Sequence, residues 1–301
     1  MVTDNPAAGL SHFLVTRYNV AYGAGRRQEI HKNETWLSGR RQLFDQWCLP
    51  SVVRAAQDIN VKWLILCATD SPDSVRDWIA SLCEDHPWIV PIFLSGDTLQ
   101  LDKYLSEQIA RGAAISRYVL STRLDSDDAL HPDFLKVVQG EASRLISSQS
   151  RYPVLLNFPT GYQLNQGRLY LTASLANPYL SVLEDRHTDQ PLISCYGAAH
   201  TAMHRHVAAV KQLRAISPYW IQVLHDTNEA NRLGGLRVPR SWTPDYIPRI
   251  GLYPATEAHG TLGAVRRDVL GAVRLLKGCY LERDVYRASV ARRSRGNGPA
   301  I

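Results

Sequence analysis

The sequence lacks long apolar segments. No apolar run reaches the roughly 18 residues that a helix needs to cross a bilayer, so we expect no membrane-spanning helix. The N-terminal stretch MVTDNPAAGLSH has no basic segment followed by an apolar core, so we also expect no secretory signal peptide. Both observations favour a cytoplasmic protein.

Cysteine is scarce, and no two cysteines have CxxC spacing. Most of the five have apolar neighbours, which is not the pattern of a zinc site or of a disulfide framework. We expect reduced cysteines in the core of a cytosolic protein. They are Cys48, Cys67, Cys83, Cys195 and Cys279.

Charge of one sign is concentrated at the C-terminal end. The net charge is +6, and residues 260–301 contain nine Lys and Arg against three Asp and Glu, so the remainder is formally neutral. A nucleic-acid enzyme more often carries positive charge across the body of its fold, so we expect no nucleic-acid partner. With 301 residues, 45% apolar and 21% charged, the chain has the composition of one elaborated globular domain.

Apolar runs alternate with amphipathic segments through the first half. The run Trp63-Leu64-Ile65-Leu66-Cys67 is apolar throughout, which is typical of a strand covered on both faces. Four such alternations predict a mostly parallel α/β sheet, whose ligands bind beyond the carboxyl ends of its strands. The predicted strands are 12–15, 63–67, 88–94 and 118–124, with helices at 39–57 (broken at Pro50), from Ser71-Pro72 and from Asp97-Thr98.

The second half has a more mixed pattern. The turn Asn165-Gln166-Gly167 between two short apolar segments predicts a β-hairpin. A strand at 220–224 leads into His225-Asp226 and a short helix that Gly234 ends. The other predicted elements are helices at 133–147 and 200–213 and strands at 153–157 and 192–196.

Three carboxylates follow the fourth predicted strand, at Asp125, Asp127 and Asp128. Such close acidic groups repel one another unless a cation holds them. Asp125 and Asp127 point the same way in an extended chain and can share Mg²⁺ or Mn²⁺ when a diphosphate supplies further oxygens. The alternative is an acidic turn that caps the next helix.

These features together resemble a known fold of glycosyltransferases. A parallel α/β half that ends in an Asp-x-Asp motif, followed by a mixed half, resembles the GT-A fold: a Rossmann-like, mostly parallel central sheet flanked by helices, with a smaller mixed sheet on the acceptor side. The segment 197–238 is similar to the family 2 pattern, with His225-Asp226 where that family has Glu-Asp. The phrases FLVTRYNV, RRQLFDQWCLPSV, STRLDSDDAL, NPYLSVLED, CYGAAH and YWIQVLHDTN resemble the family named "putative rhamnosyltransferase".

The resemblance implies roles for the acidic residues. It assigns Asp125 to the ribose and the metal, and Asp127 to direct metal contact, with Mg²⁺ or Mn²⁺ as cofactor. Asp128 stays open between a third ligand and a helix cap, and His225 between a further ligand and a hydrogen-bonded residue. Asp226 matches the catalytic base that an inverting transfer requires.

Two further groups of residues are candidates for the site. Glu184 and Asp185 form a rival acidic pair on the acceptor side, without the glycine-terminated helix that follows Asp226. Polar residues at predicted strand ends are candidates for donor nucleotide binding, although arginines there also suit structural counter-ions and Asp70 also suits a helix cap. These donor-side residues are Thr16, Arg17, Asp70, Arg123 and Asp125.

The function that these observations favour is a metal-dependent, inverting glycosyltransferase of the hexosyltransferase type. It would move a sugar, with rhamnose the one the family name suggests, from a nucleoside diphosphate to a glycan, glycolipid or other acceptor. Clustered aspartates also suit a metal-dependent phosphoesterase or nucleotidyltransferase, and a non-catalytic sugar-binding scaffold is a third reading.

The predicted organisation is one catalytic domain at 1–258, with a nucleotide-sugar half at 1–128 and an acceptor half at 129–258. Apolar residues recur at three- and four-residue intervals in 259–301, which predicts a basic amphipathic helix. This helix either packs on the domain or attaches the protein peripherally to an anionic membrane at the inner face of the cell membrane.

Overall fold

The structure is a computed structural model, and it describes residues 9–20, 32–95, 101–113, 115–188, 190–213, 217–226 and 233–247. The helix predicted from residue 97 begins outside these ranges. The helices predicted after Asp226 and at 259–301 lie outside them. No helix among the described residues is long and apolar enough to span a membrane. The twelve strands of these ranges are β1 (Leu10–Arg17), β2 (Lys62–Ala68), β3 (Ile89–Leu94), β4 (Tyr118–Asp125), β5 (Ala129–Leu130), β6 (Val154–Asn157), β7 (Thr160–Asn165), β8 (Arg168–Ala173), β9 (Leu180–Asp185), β10 (Ala209–Gln212), β11 (Trp220–Leu224) and β12 (Leu236–Arg237).

Seven of these strands form a central, mostly parallel sheet in the order β10-β6-β9-β4-β1-β2-β3. The strands β1 to β4 run parallel to their neighbours within that group. The exception is β9, which pairs antiparallel with both β4 and β6. The parallel α/β sheet predicted for the first half is confirmed.

The other five strands form a smaller mixed sheet in the order β12-β8-β7-β11-β5. The hairpin of β7 and β8 turns at Gln166 and Gly167, both with positive φ, as the Asn-Gln-Gly sequence predicts. β11 pairs parallel with β7 and antiparallel with β5, which directly follows the aspartate cluster. The second sheet therefore begins where the central sheet presents its carboxyl ends.

Helices cover both faces of the central sheet. Side chains of β2 alternate between the two faces: Trp63 and Ile65 pack in a core with Phe44 and Phe134, whereas Leu64 packs in a second core. This two-sided burial explains why the strand is apolar at every position from Trp63 to Cys67. The helices are α1 (Glu34–Leu43), a π-helical stretch (Phe44–Cys48), α2 (Leu49–Ala55), α3 (Asp73–Asp85), α4 (Leu101–Gly112) and α5 (Phe134–Ser147).

The break predicted at Pro50 is not observed. The chain stays helical from Glu34 to Ala55, and Pro50 lies in the first turn of α2. The irregularity comes earlier, where the N–H of Leu49 donates to Phe44 O across a π-helical turn. Proline has no N–H to donate, so it is accommodated where the hydrogen-bond pattern changes.

Two predicted elements of the second half are wrong. Residues 192–196 form no strand, because the N–H groups of Ile193 and Ser194 donate to the Glu184 carboxylate, and Ser194 has a φ of 61°. Residues 200–213 form no long helix: they contain a short 3₁₀ turn, Met203–Arg205, and then β10. The sequence reading also missed β9, a fully buried strand.

Candidate active site

The carboxyl ends of β1, β2 and β4 lie at one edge of the central sheet. β1 and β4 pair in parallel, with Arg17 opposite Asp125 and Thr16 opposite Leu124. β2 lies on the other side of β1 and ends just before Asp70. The structure therefore brings the predicted donor-side residues to the same edge.

Asp125 ends β4 and is held by an arginine of the same strand. Nη2 of Arg123 donates to both carboxylate oxygens, at 3.2 and 3.3 Å. Burial alone raises the pKa of Asp125, but the charges of Arg123 and Arg17 outweigh it and hold the pKa below its usual value. Asp125 is therefore an ionised carboxylate at neutral pH.

Asp127 is held by residues from two distant parts of the chain. Its Oδ2 lies 2.5 Å from Nη1 of Arg40 on α1 and 2.8 Å from Nε2 of His225, which follows β11. The side chains of Asp127, Arg40 and His225 are 10%, 13% and 16% exposed, so these contacts are shielded from solvent. They bring the segment with Asp226 to the aspartate cluster.

Asp128 joins the two sheets. Its Oδ2 accepts a 2.7 Å hydrogen bond from the Tyr179 hydroxyl, and its Oδ1 accepts one of 2.8 Å from the N–H of Val223 in β11. Burial, then the charges of Asp127 and Asp125, raise the pKa of Asp128 well above its usual value. The cap alternative is not observed, because α5 begins at Phe134 and Asp128 bonds elsewhere.

Asp226 directly follows His225 and is exposed to solvent. Two hydrogen bonds hold the residues just before Asp226 against the aspartate cluster. The N–H of Val223 donates to Asp128, and the ring of His225 bonds to Asp127. The Asp226 carboxylate is therefore open to solvent, next to the largely buried aspartate cluster.

The structure does not bring Glu184 and Asp185 to this edge. They pair with Val119 and Tyr118, at the start of β4, so about 20 Å of extended chain separates them from Asp125. Burial raises the pKa of Glu184 to about 7, and Arg117 holds Asp185 at 2.8 Å. At this opposite end of the strand, Glu184 accepts hydrogen bonds from backbone N–H groups and Asp185 pairs with the side chain of Arg117.

Two predicted donor-side residues have partners within the protein. The Thr16 hydroxyl accepts a 2.9 Å hydrogen bond from Trp63 Nε1 and is fully buried. Asp70 makes an exposed ion pair with Lys32, whose ammonium lowers its pKa. Asp70 does not cap α3, since Pro72 precedes that helix and no side chain caps it.

Sequence reasoning missed three residues of the site. Arg40 lies within the phrase RRQLFDQWCLPSV, but nothing in its local pattern distinguishes it from Arg41. The ring of Tyr196 lies under the guanidinium groups of Arg123, at 4.8 Å, and Arg17, at 5.6 Å. His200 is half-buried near Asp125, and burial followed by the charge of Arg123 lowers its pKa.

Asp125 and Asp127 offer the oxygen ligands that a hard dication prefers. Mg²⁺ in nucleotide enzymes is commonly held by one or two carboxylates, while phosphates and waters complete its shell. Among the described residues, no group of three or more His, Cys, Asp or Glu side chains is arranged to hold a metal ion. Two carboxylates are the number of protein ligands that such a site needs when phosphates and waters supply the others.

The sequence matches the family model described as "Putative rhamnosyl transferase" over residues 14–237. The match covers most of the chain and includes Asp125 and Asp127. The chain therefore belongs to this family of glycosyltransferases. The predicted GT-A type of α/β fold, with its mostly parallel central sheet and smaller mixed sheet, is confirmed.

The similarity of this chain to the following solved structures is distant. The structure of residues 1–349 of S. aureus TarS is similar to this chain, with 12% sequence identity and a TM-score of 0.38. The structure of the same fragment in complex with UDP also has 12% identity, and its TM-score is 0.40. Each of these two matches covers 71% of this chain and 60% of the TarS chain. A "putative nucleotide-diphospho-sugar transferase" from Desulfovibrio desulfuricans G20 matches with 14% and 0.35, covering 71% of this chain and 80% of that one. The chain thus spans less than two thirds of the TarS structures. Among proteins with curated descriptions, none matches this sequence.

Proposed function

We propose that the chain is a metal-dependent, inverting glycosyltransferase. It moves a sugar from a nucleoside diphosphate to a hydroxyl of a glycan or glycolipid. The observation that carries this proposal is the 2.8 Å contact between Asp127 and His225, because it joins the strand-end carboxylates to the segment of Asp226. Membership of the rhamnosyl transferase family supports sugar transfer and makes rhamnose the first donor sugar to test.

Asp125 and Asp127 are the residues that would hold Mg²⁺ or Mn²⁺. When bound, the metal supplies Lewis-acid stabilisation of the negative charge on the departing diphosphate. Arg123 and Arg17 keep Asp125 ionised, and Arg17 also lies at the end of β1, where a nucleotide meets the sheet. These residues therefore form the donor side.

Asp226 is the proposed base. Inversion requires that a base accept the proton of the acceptor hydroxyl as its oxygen attacks the anomeric carbon from the side opposite the leaving group. Asp226 is exposed, so an acceptor can reach it, and the His225 contact with Asp127 sets its place relative to the donor side. His225 itself is a positioning residue in this scheme.

The metal assignment is tested by thermal unfolding with nucleoside diphosphates. Asp127→Asn should abolish stabilisation by a nucleoside diphosphate with Mn²⁺, since a ligand that binds the native state raises its melting temperature. Asp133→Asn is the matched control, because Asp133 is 59% exposed and lies beyond the cluster. Unchanged Mn²⁺-dependent stabilisation in Asp127→Asn would remove the metal from these carboxylates.

The base is tested by separating donor binding from transfer. Asp226→Asn should bind the donor normally and lose transfer by roughly two orders of magnitude or more, the scale of general-base catalysis. A panel of nucleoside-diphosphate sugars, beginning with rhamnose, identifies the donor for this assay. Near-normal turnover of Asp226→Asn would show that another group accepts the proton.

A further inference from the structure

Arg40 brings a largely, but not fully, buried positive charge from α1 to the aspartate cluster. Its Nη1 lies 2.5 Å from Oδ2 of Asp127, and its side chain is 13% exposed. The guanidinium also lies 4.9 Å from the ring centroid of Trp36, one turn earlier on the same helix. A charged side chain held on two sides loses little further freedom when a ligand binds to it.

The contact with Asp127 leaves hydrogen-bond donors of Arg40 unused. A guanidinium has five N–H groups in a planar fork. The Nε of Arg40 is buried and makes no hydrogen bond to any residue that the structure describes. Leaving a buried donor without a partner is costly, so a small movement of the side chain that lets a ligand accept from the guanidinium would be favourable.

The position of Arg40 indicates which ligand that is. Asp127 belongs to the motif that faces the donor diphosphate in the proposed reaction, and Arg40 touches the same carboxylate oxygen as His225. Guanidinium groups bind phosphate oxygens in bidentate fashion with charge-assisted hydrogen bonds. A guanidinium fixed there would meet the phosphate oxygens on which negative charge develops.

We propose that Arg40 is a diphosphate-binding residue that contacts the leaving group of the donor. The proposal rests on the glycosyltransfer proposed above and adds a protein-borne cation to the donor site. The rival explanation makes Arg40 only the counter-ion of Asp127. The two explanations predict opposite effects on metal-assisted binding, since a mere counter-ion competes with the metal for Asp127 and its removal would tighten that binding.

The experiment compares wild type, Arg40→Gln and Arg40→Lys with the control Arg41→Gln. Arg41 is the adjacent arginine, 53% exposed and paired with Asp45. The probes are UDP, dTDP and GDP, together with the monophosphate of whichever diphosphate binds the wild type most tightly. Dissociation constants are measured by calorimetry in EDTA and again with Mn²⁺, and melting temperatures without ligand check that each variant folds.

Arg40→Gln is expected to bind the diphosphate in EDTA roughly tenfold to a hundredfold more weakly, the range for lost hydrogen bonds to a charged group. Arg40→Lys should recover part of this affinity, monophosphate binding should change less, and Arg41→Gln should match the wild type. Equal affinities of wild type and Arg40→Gln in EDTA, or tighter binding by Arg40→Gln with Mn²⁺, would overturn the inference while leaving the glycosyltransferase proposal intact. If no diphosphate bound the wild type under either condition, both proposals would fail.

Discussion

Glu184 gives the sharpest link between this structure and a measurable pH dependence. The side chain is 3% exposed, and its two oxygens accept hydrogen bonds from the N–H groups of Ile193 and Ser194, at 2.5 and 3.0 Å. Burial nevertheless dominates and raises the pKa from 4.5 to about 7. Between pH 4.5 and about 7, Glu184 is therefore mostly protonated in the folded protein and mostly ionised in the unfolded chain.

The direction of the effect follows from this difference in proton binding. Because the pKa is higher in the folded state, the stability associated with Glu184 is fully present below pH 4.5 and is lost as the pH rises towards about 7. One pKa unit corresponds to about 1.4 kcal/mol, so the loss across this interval is about 3 kcal/mol. A variant without the ionisable group does not lose this contribution.

Urea unfolding of wild type and Glu184→Gln, from about pH 4 to about pH 8, measures the effect. The free energy of unfolding of the wild type relative to the variant should fall by about 3 kcal/mol over this range, because other groups titrate alike in both proteins. Sugar transfer should be retained in the variant, since Glu184 lies at the far end of β4 from Asp125. A difference between the two proteins that stays constant with pH would refute the reasoning.

Two other substitutions test how the site is supported. Tyr179→Phe removes the donor to the buried carboxylate of Asp128 and should lower the free energy of unfolding by about 1–3 kcal/mol; an unchanged urea midpoint would show that this bond does not matter for stability. Gly161→Ala would place a Cβ 2.0 Å from the ring of Trp220 and should destabilise the fold by at least about 1–3 kcal/mol. The control is Gly140→Ala in α5, where the new Cβ meets nothing within 4 Å. This control should stabilise the fold by about 0.5–1 kcal/mol. Thermal unfolding compares the two alanine variants, and equal melting temperatures would contradict the packing seen at Gly161.

The central strands could be predicted because burial on both faces leaves a strong signal. Each residue from Trp63 to Cys67 in β2 enters one of two cores, so this run is apolar without interruption. β9 was missed because its sequence ends in Glu184-Asp185, and acidic residues argue against a buried strand. Backbone N–H groups and Arg117 satisfy these two carboxylates, and such long-range partners are not visible in a local pattern.

The site shows the same division between local and distant information. Asp125, Asp127 and Asp226 could be proposed from motifs, since a strand end and the residues after it are contiguous in sequence. Arg40 was not found, because only its contact with Asp127 in the folded chain distinguishes it from Arg41. The cationic half of a binding site often comes from another element than the acidic half, and the topology alone places it.

The antiparallel strand β9 has a consequence for the biosynthesis of this protein. β4 lies between β1 and β9, so one edge of β4 has its strand partner only after residue 185 has left the ribosome. Until then the nascent chain presents an unpaired strand with an apolar surface, which is the kind of edge that recruits other chains. Residues 1–128, the predicted nucleotide-sugar half, are therefore not expected to form a folding unit, and a fragment that ends there should aggregate rather than fold.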